Sequence, residues 1–245
     1  MKWQNLLSQM KKEILITKNI KKTYFKKAGK IEVLKGIDFL AYEGEILAIT
    51  GASGAGKSTF LHIIGTLESQ TEGEILFKFD REINPSKLSR DTLSEFRNKH
   101  IGFVFQFHYL LPEFNVLENV IMPELITSEF GKKKINKHEI EERAFEILKR
   151  LGIHQRIHHY PGELSGGEQQ RVAVARALFK NPSIVLADEP TGNLDSKSAQ
   201  ELFEVFLKIN RESKTTFIIV THNEALAQKC TRIFRMIDGL LININ

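Results

Sequence analysis

One cysteine, Cys230, stands in 245 residues, so the chain can close no internal disulfide, and a lone thiol fits a reducing compartment. It reads as an inert buried group rather than a nucleophile. No apolar run approaches the ~20 residues that a bilayer-spanning helix needs. The opening MKWQNLLSQMKKE has too short an apolar stretch for a secretory signal, which predicts a cytoplasmic chain held elsewhere only by a partner. Internal repeats and low-complexity tracts are lacking too. With 42% hydrophobic and 27% charged residues, disorder is excluded as well.

Negative charge is scarce near the start. Lys2, Lys11, Lys12, Lys18, Lys21, Lys22, Lys26, Lys27, Lys30 and Lys35 face only Glu13 and Glu32 in that stretch, and the whole chain carries +5. A basic face serves nucleic acid, anionic lipid headgroups or plain solvation, and charge alone does not choose. No aromatic residues interleave with the lysines in a nucleic-acid pattern, and no nucleic-acid partner is expected.

Three short runs carry no polar alternation: EILAIT (45–50), SIVLA (183–187) and TFIIV (216–220). Strands covered on both faces read this way, and their alternation with helical patterns predicts an α/β core with a mainly parallel sheet. From about 87 to 162 the texture changes. Asn115 with Glu118 forms a capping pair, Pro123 kinks or ends that helix, and Ile140, Ala144, Leu148 and Leu151 recur at helical spacing before Gly152. This part reads as a helical lobe inserted into the core.

The segment GASGAGKST comprises Gly51, Ala52, Ser53, Gly54, Ala55, Gly56, Lys57, Ser58 and Thr59. It satisfies the phosphate-loop pattern, follows a strand and opens a helix. Its glycines let amides curl around phosphate oxygens, Lys57 is suited to the β- and γ-phosphates, and Ser58 to Mg2+. The strand SIVLA runs into Asp188 and Glu189 at the edge where ligands of parallel sheets sit. Asp188 is expected to hold Mg2+, and Glu189 to polarise the water that attacks the γ-phosphate. TFIIV runs into Thr221 and His222 at the same edge, which makes His222 a γ-phosphate contact or orienting group.

A second glycine-rich helix start, ELSGGEQQRVAVAR (163–176), lacks a lysine. Ser165 and Gly166–Gly167 form an anion site from backbone amides and helix dipole alone. A weak second site is useful if it closes over ATP held by another copy, two copies sandwiching two ATPs head to tail.

Together these motifs resemble the ATP-binding subunits of ABC transporters. Leu164, Ser165, Gly166, Gly167 and Glu168 match the family signature, GASGAGKST the Walker A and IVLADE (184–189) the Walker B motif. The resemblance covers about Ile14 to Gly239. It implies an antiparallel β edge beside a RecA-like core (about 14–86 and 163–240), and catalytic roles for Glu189, His222 and Gln106. It also implies Mg2+ ligation by Gln106 with Ser58 and Asp188, adenine stacking on Tyr24, and a D-loop ending at Leu194–Asp195. The expected protein is an ATPase that dimerises on ATP and drives integral membrane subunits. Residues 102–123 look most like the lipoprotein-releasing branch, which implies LolC/LolE-like partners at the cytoplasmic face of the inner membrane. LADEPTGNLD (186–195) is shared with the MacB-type export and FtsE-type division ATPases, which remain alternatives. Asn223 departs from the aspartate usual after the switch histidine. The histidines at 154, 158 and 159 lack acid or cysteine at ligand spacing and read as solvated.

Overall fold

The three runs without polar alternation become the centre of one sheet. A computed structural model describes residues 11–26, 29–131 and 136–244. In chain order its elements are β1 (Glu13–Lys26), β2 (Gly29–Tyr42), β3 (Ile46–Thr50), α1 (Lys57–Ile64), β4 (Glu72–Lys78), β5 (Glu82–Ile83), α2 (Arg90–His100), β6 (Ile101–Val104), α3 (Val116–Gly131) and α4 (Lys137–Arg150). Then follow α5 (Gly166–Leu178), β7 (Ile184–Asp188), α6 (Ser196–Ser213), β8 (Thr216–Val220), α7 (Glu224–Ala227), β9 (Arg232–Ile237) and β10 (Leu240–Asn243). The main sheet has the order β10-β9-β3-β8-β7-β6, parallel except for β10. A second sheet, β2-β1-β4-β5, is antiparallel throughout.

Side chains alternate across a strand, so each central strand feeds two cores. Ile46, Ala48, Val185, Ala187, Phe217 and Ile219 meet the helices α3 to α6. Leu47, Ile49, Ile184, Leu186, Ile218 and Val220 meet α1 and the antiparallel sheet. Phe206 of α6 stacks on Phe217 at 5.2 Å between centroids, and Phe39 joins Phe60 and Phe234 across the other core.

Four of the early lysines find acids from elsewhere in the chain. Lys11 meets Glu45, Lys12 meets Glu43, Lys21 meets Glu72 and Lys22 meets Glu68, while Glu13 is taken by Lys78. The basic start counted along the sequence is therefore not an equally basic surface. Lys2 and Lys27 lie outside the described residues.

The capping pair forms as expected: the Asn115 amide donates to Glu118 and the Glu118 amide to Asn115 Oδ1, each at 2.9 Å. The helix does not end at Pro123 but runs through it to Gly131, with the Pro123 carbonyl accepting from Asn98 Nδ2. Ile140, Ala144, Leu148 and Leu151 are buried, and Gly152 ends that stretch at φ 69°. The interval 87–162 is not wholly helical. Ile101–Val104 pairs in parallel with β7 as the sheet's edge strand. Its four residues, interrupted by Gly102, are too short and mixed to read as a buried strand.

Gly102 also shows how tightly that strand meets α5. A Cβ there would run into the Ala177 carbonyl and crowd Pro182. Gly102→Ala should therefore destabilise the protein by about 1–3 kcal/mol through overpacking. Urea denaturation with an unchanged m-value would register it, and a wild-type midpoint would refute the close approach.

Candidate nucleotide and cation site

The P-loop begins where β3 ends. Gly51 lies so near the Met236 carbonyl that no Cβ fits, and Gly54 and Gly56 hold φ of 77° and 107°. Gly56, in the left-handed region, turns the loop into α1. Among the described residues the amides of Gly54, Gly56, Lys57, Ser58 and Thr59 have no protein acceptor. Five open donors ahead of a helix N-terminus form a concave anion nest. Lys57, nearly buried, folds its ammonium onto the Gly51 and Ala52 carbonyls at 2.9 and 2.8 Å. The cleft over this loop measures about 470 Å3 and is bounded by His222, Glu224 and Arg235 on its far side.

Ser58 sits one residue into α1, and its hydroxyl donates to Asp188 Oδ1 at 3.0 Å. Burial pushes the Asp188 carboxyl above its ordinary range, the Ser58 bond opposes this, and the charge of Glu189 adds to the rise. Two hard oxygen donors held together in a half-buried setting suit a divalent cation.

Glu189 follows at φ 46°, a strained conformation for a non-glycine residue. Its amide is held by the Val220 carbonyl and its own carbonyl accepts from Gly192, so both neighbours fix the turn. The carboxylate is thereby aimed at His222, whose Nδ1 lies 3.0 Å from Oε2. Asn223 caps α7, its Oδ1 accepting from the Leu226 amide at 3.1 Å. Asparagine caps a helix about as well as aspartate, so the departure at 223 keeps the local geometry.

The second glycine-rich start also opens a helix. Ser165 caps α5, Glu168 closes the box onto the Ser165 amide at 2.8 Å, and the Gly166 and Gly167 amides have no acceptor among the described residues. The Glu168 carboxyl is held below its usual range, chiefly by the Ser165 amide and hydroxyl with Arg156 beyond. Leu164 is buried just before it.

The structure brings Lys57, Ser58, Asp188, Glu189 and His222 to one edge. Residues 164–168 stand apart, with no hydrogen bond or ion pair to residues 51–59 among the described residues. Gln106 follows β6, its carbonyl accepting from Asn193 Nδ2 at 3.1 Å, with no hydrogen bond from its side chain to Ser58 or Asp188. Asp195 caps α6, accepting from the Lys197 and Ser198 amides. Tyr24 has its hydroxyl donating to Glu68 at 2.8 Å and Lys22 above its ring. His154 packs edge-on to Phe145 and His159 meets Arg156, and no metal-binding group of histidine, cysteine and acid exists among the described residues. Sequence reasoning missed Arg235 and the turn after β9, which wall the cleft. No motif marks them, and only the parallel pairing of β9 with β3 brings them there.

The ABC transporter family model matches residues 34–192. The chain belongs to the ABC transporter family. A lipoprotein-releasing system ATP-binding protein LolD from Cytophaga hutchinsonii is 52% identical over 230 residues, 94% of this chain and 99% of that protein. One of the same name from Syntrophus aciditrophicus is 49% identical, covering 92% of this chain and 97% of that protein. Among solved structures, the dimeric bacterial ABC transporter cassette MJ0796 superposes with a TM-score of 0.86 at 39% identity, covering 95% of this chain and 99% of that one. The same cassette in a post-hydrolysis dimer bound to ADP and Pi gives a TM-score of 0.85, again at 39% identity and covering the same 95% and 99%.

A carboxyl raised by burial contributes stability below its unfolded pKa that is lost as pH rises through the folded one. Asp188 therefore costs the nucleotide-free protein stability at neutral pH. Asp188→Asn should raise the melting temperature of nucleotide-free protein at pH 7 and narrow that gain toward pH 4, while abolishing cation-dependent hydrolysis. A lower melting temperature at pH 7 would contradict the burial argument.

Proposed function

We propose that this chain is the ATP-hydrolysing subunit of an ABC transporter that releases lipoproteins from the inner membrane. It works from the cytoplasmic face, bound to integral membrane subunits of the LolC/LolE type, and dimerises on ATP. The 52% identical LolD protein supports the lipoprotein assignment over the export and division alternatives. The dimeric cassettes support the pairing of two copies. No helix among the described residues is long and apolar enough to cross a membrane, so the route through the bilayer belongs to the partners.

The observation that carries the reading is a site in two separated halves. Lys57, Ser58, Asp188, Glu189 and His222 converge, whereas the open amides of Gly166 and Gly167 lie elsewhere on the same chain. A second copy, turned head to tail, supplies the missing half. In this reading the P-loop amides and Lys57 bind the phosphates, and Tyr24 takes the adenine. Residues 164–168 close over the γ-phosphate held by the other copy, with Asp195 at the crossing. Ser58 and Asp188, with Gln106 as a further ligand, would hold Mg2+, which would screen the phosphate charge. Glu189 accepts the proton of the attacking water, and His222, already 3.0 Å from it, orients that carboxylate and reaches the γ-phosphate.

Glu189→Gln keeps shape and hydrogen bonding but removes the base. Turnover should fall by roughly 10²–10⁴-fold. Affinity for ATP should hold or rise, and the variant should elute with bound nucleotide at twice the monomer mass. A monomeric variant with normal turnover would remove both the catalytic assignment and the sandwich.

The two-half site makes its own demand at the other end. Ser165→Arg puts bulk and charge on the amide site while sparing the protomer's own P-loop. ATP binding by the monomer should survive, and both dimerisation and hydrolysis should fail. Normal hydrolysis by this variant would show that residues 164–168 serve another purpose.

A further inference from the structure

The loop after Gln106 is apolar and exposed: Phe107 and Tyr109 each leave 64% of their surface in solvent. Its two ends are secured. The Gln106 carbonyl is held by Asn193, and buried Asn119 binds both the amide and the carbonyl of Leu111. Between those ends, the only hydrogen bonds to the backbone among the described residues come from one side chain. Arg176 donates to the His108 carbonyl at 2.8 Å and to the Tyr109 carbonyl at 2.7 Å.

Arg176 lies near the end of α5, and among the described residues its half-buried guanidinium has no carboxylate beside it. Burial lowers its affinity for the proton. A guanidinium kept in such a place without a counter-ion is there for its fork of donors, which a planar group can aim at two carbonyls at once. The same helix also sets Gln169 beside the His108 side chain. Residues 169 and 176 are seven apart, close to two helical turns, so both stand on the same face of α5. Gln169 in turn donates to the Pro161 and Leu164 carbonyls, immediately before the cap at Ser165. His108 Nε2 is buried without a partner among the described residues.

We infer that Arg176 is a positioning residue that clamps the exposed loop 107–111 to the helix carrying residues 165–168, so that a membrane subunit docking on the loop sets the attitude of that helix. This rests on the reading of the protein as a transporter ATPase bound to membrane subunits, and it takes the exposed apolar loop as the surface they meet. A rigid helix whose guanidinium grips two successive loop carbonyls cannot stay in place when the loop is displaced. Movement at Phe107 and Tyr109 thus reaches the Gly166 and Gly167 amides without any change at the P-loop.

The test uses the full chain alone and in complex with the membrane subunits it captures from solubilised membranes. Arg176→Met keeps the aliphatic stem and removes the fork. It should capture the partners as the wild type does and keep basal hydrolysis within about twofold, but lose roughly tenfold of the partner-stimulated rate, inside the range of coupling effects at such sites. Amide exchange at 107–111 in the free chain should quicken. Arg176→Lys, reaching one carbonyl at a time, should fall between, and it decides the matter if Arg176→Met does not fold. Wild-type stimulation and exchange in the folded variant overturn the clamp, as does a loss of stimulation that only parallels a loss of capture. Phe107→Asp separates the two ideas. Lost capture there with full stimulation in Arg176→Met overturns the clamp alone, whereas retained capture overturns the docking reading and the clamp's purpose with it.

Discussion

Three parallel strands that are buried on both faces run out together, and the chemistry depends on where they stop. β3, β8 and β7 lie side by side, with Ile49 opposite Val220 and Val220 opposite Asp188. The ladder continues one step further, as the Thr221 amide donates to the Ile49 carbonyl and the Glu189 amide to the Val220 carbonyl. Beyond that row the backbone leaves the sheet at three adjacent points, as the P-loop, the Asp188–Glu189 pair and the Thr221–His222 pair. No long-range search is needed to bring Ser58 to Asp188 or His222 to Glu189. The pairing that buries Leu47, Leu186 and Ile218 has already done it, and shifting any one strand by a residue would turn its apolar set out of one core.

That arrangement explains why strain and desolvation gather at the same edge. Glu189 adopts a left-handed conformation costing of the order of 1–3 kcal/mol, tolerated because both flanking bonds over-determine it. Burial of Asp188 resists its ionisation. Lys57 has its ammonium turned onto the loop's own carbonyls, a neutralisation that an anion in the nest would replace. Each of these groups is less comfortable in the free protein than it would be on a surface, and the two packed cores supply the stability that holds them there.

Much of this was legible in the sequence, for definite reasons. Unbroken apolar runs report burial on both faces, so β3, β7 and β8 could be read directly. The Asn115–Glu118 box, the buried stripe of α4 and the turn at Gly152 rest on local rules and appear where those rules put them. What escaped rests on contacts between distant residues. β6 is short, carries a glycine, and is a strand only because β7 is beside it. The lysines of β1 looked unopposed because Glu68 and Glu72 reach them from some fifty residues away. β1 and β2 shift register several times along fourteen residues each, which blurs any period-two pattern. Pro123 was read by its local cost, yet α3 carries it, with Asn98 bonded to its carbonyl.

The missing lysine in the second glycine-rich start follows from the same physics as the P-loop. At the first site a buried ammonium and five open amides face one cleft, enough to hold a polyanion without help. At the second, two open amides stand beside a carboxylate, Glu168, that the helix N-terminus and Arg156 keep ionised. That carboxylate satisfies the cap and repels any second anion arriving alone. Read as an anion site, it would be weak by construction, and an anion already neutralised by a cation and a lysine would meet less of the repulsion than a free one. Such a site has little affinity of its own, so contact with it depends on how the helix is presented. That places the sensitivity of the assembly in the attitude of α5 rather than in its binding strength, and α5 is the helix to which the exposed loop is tied.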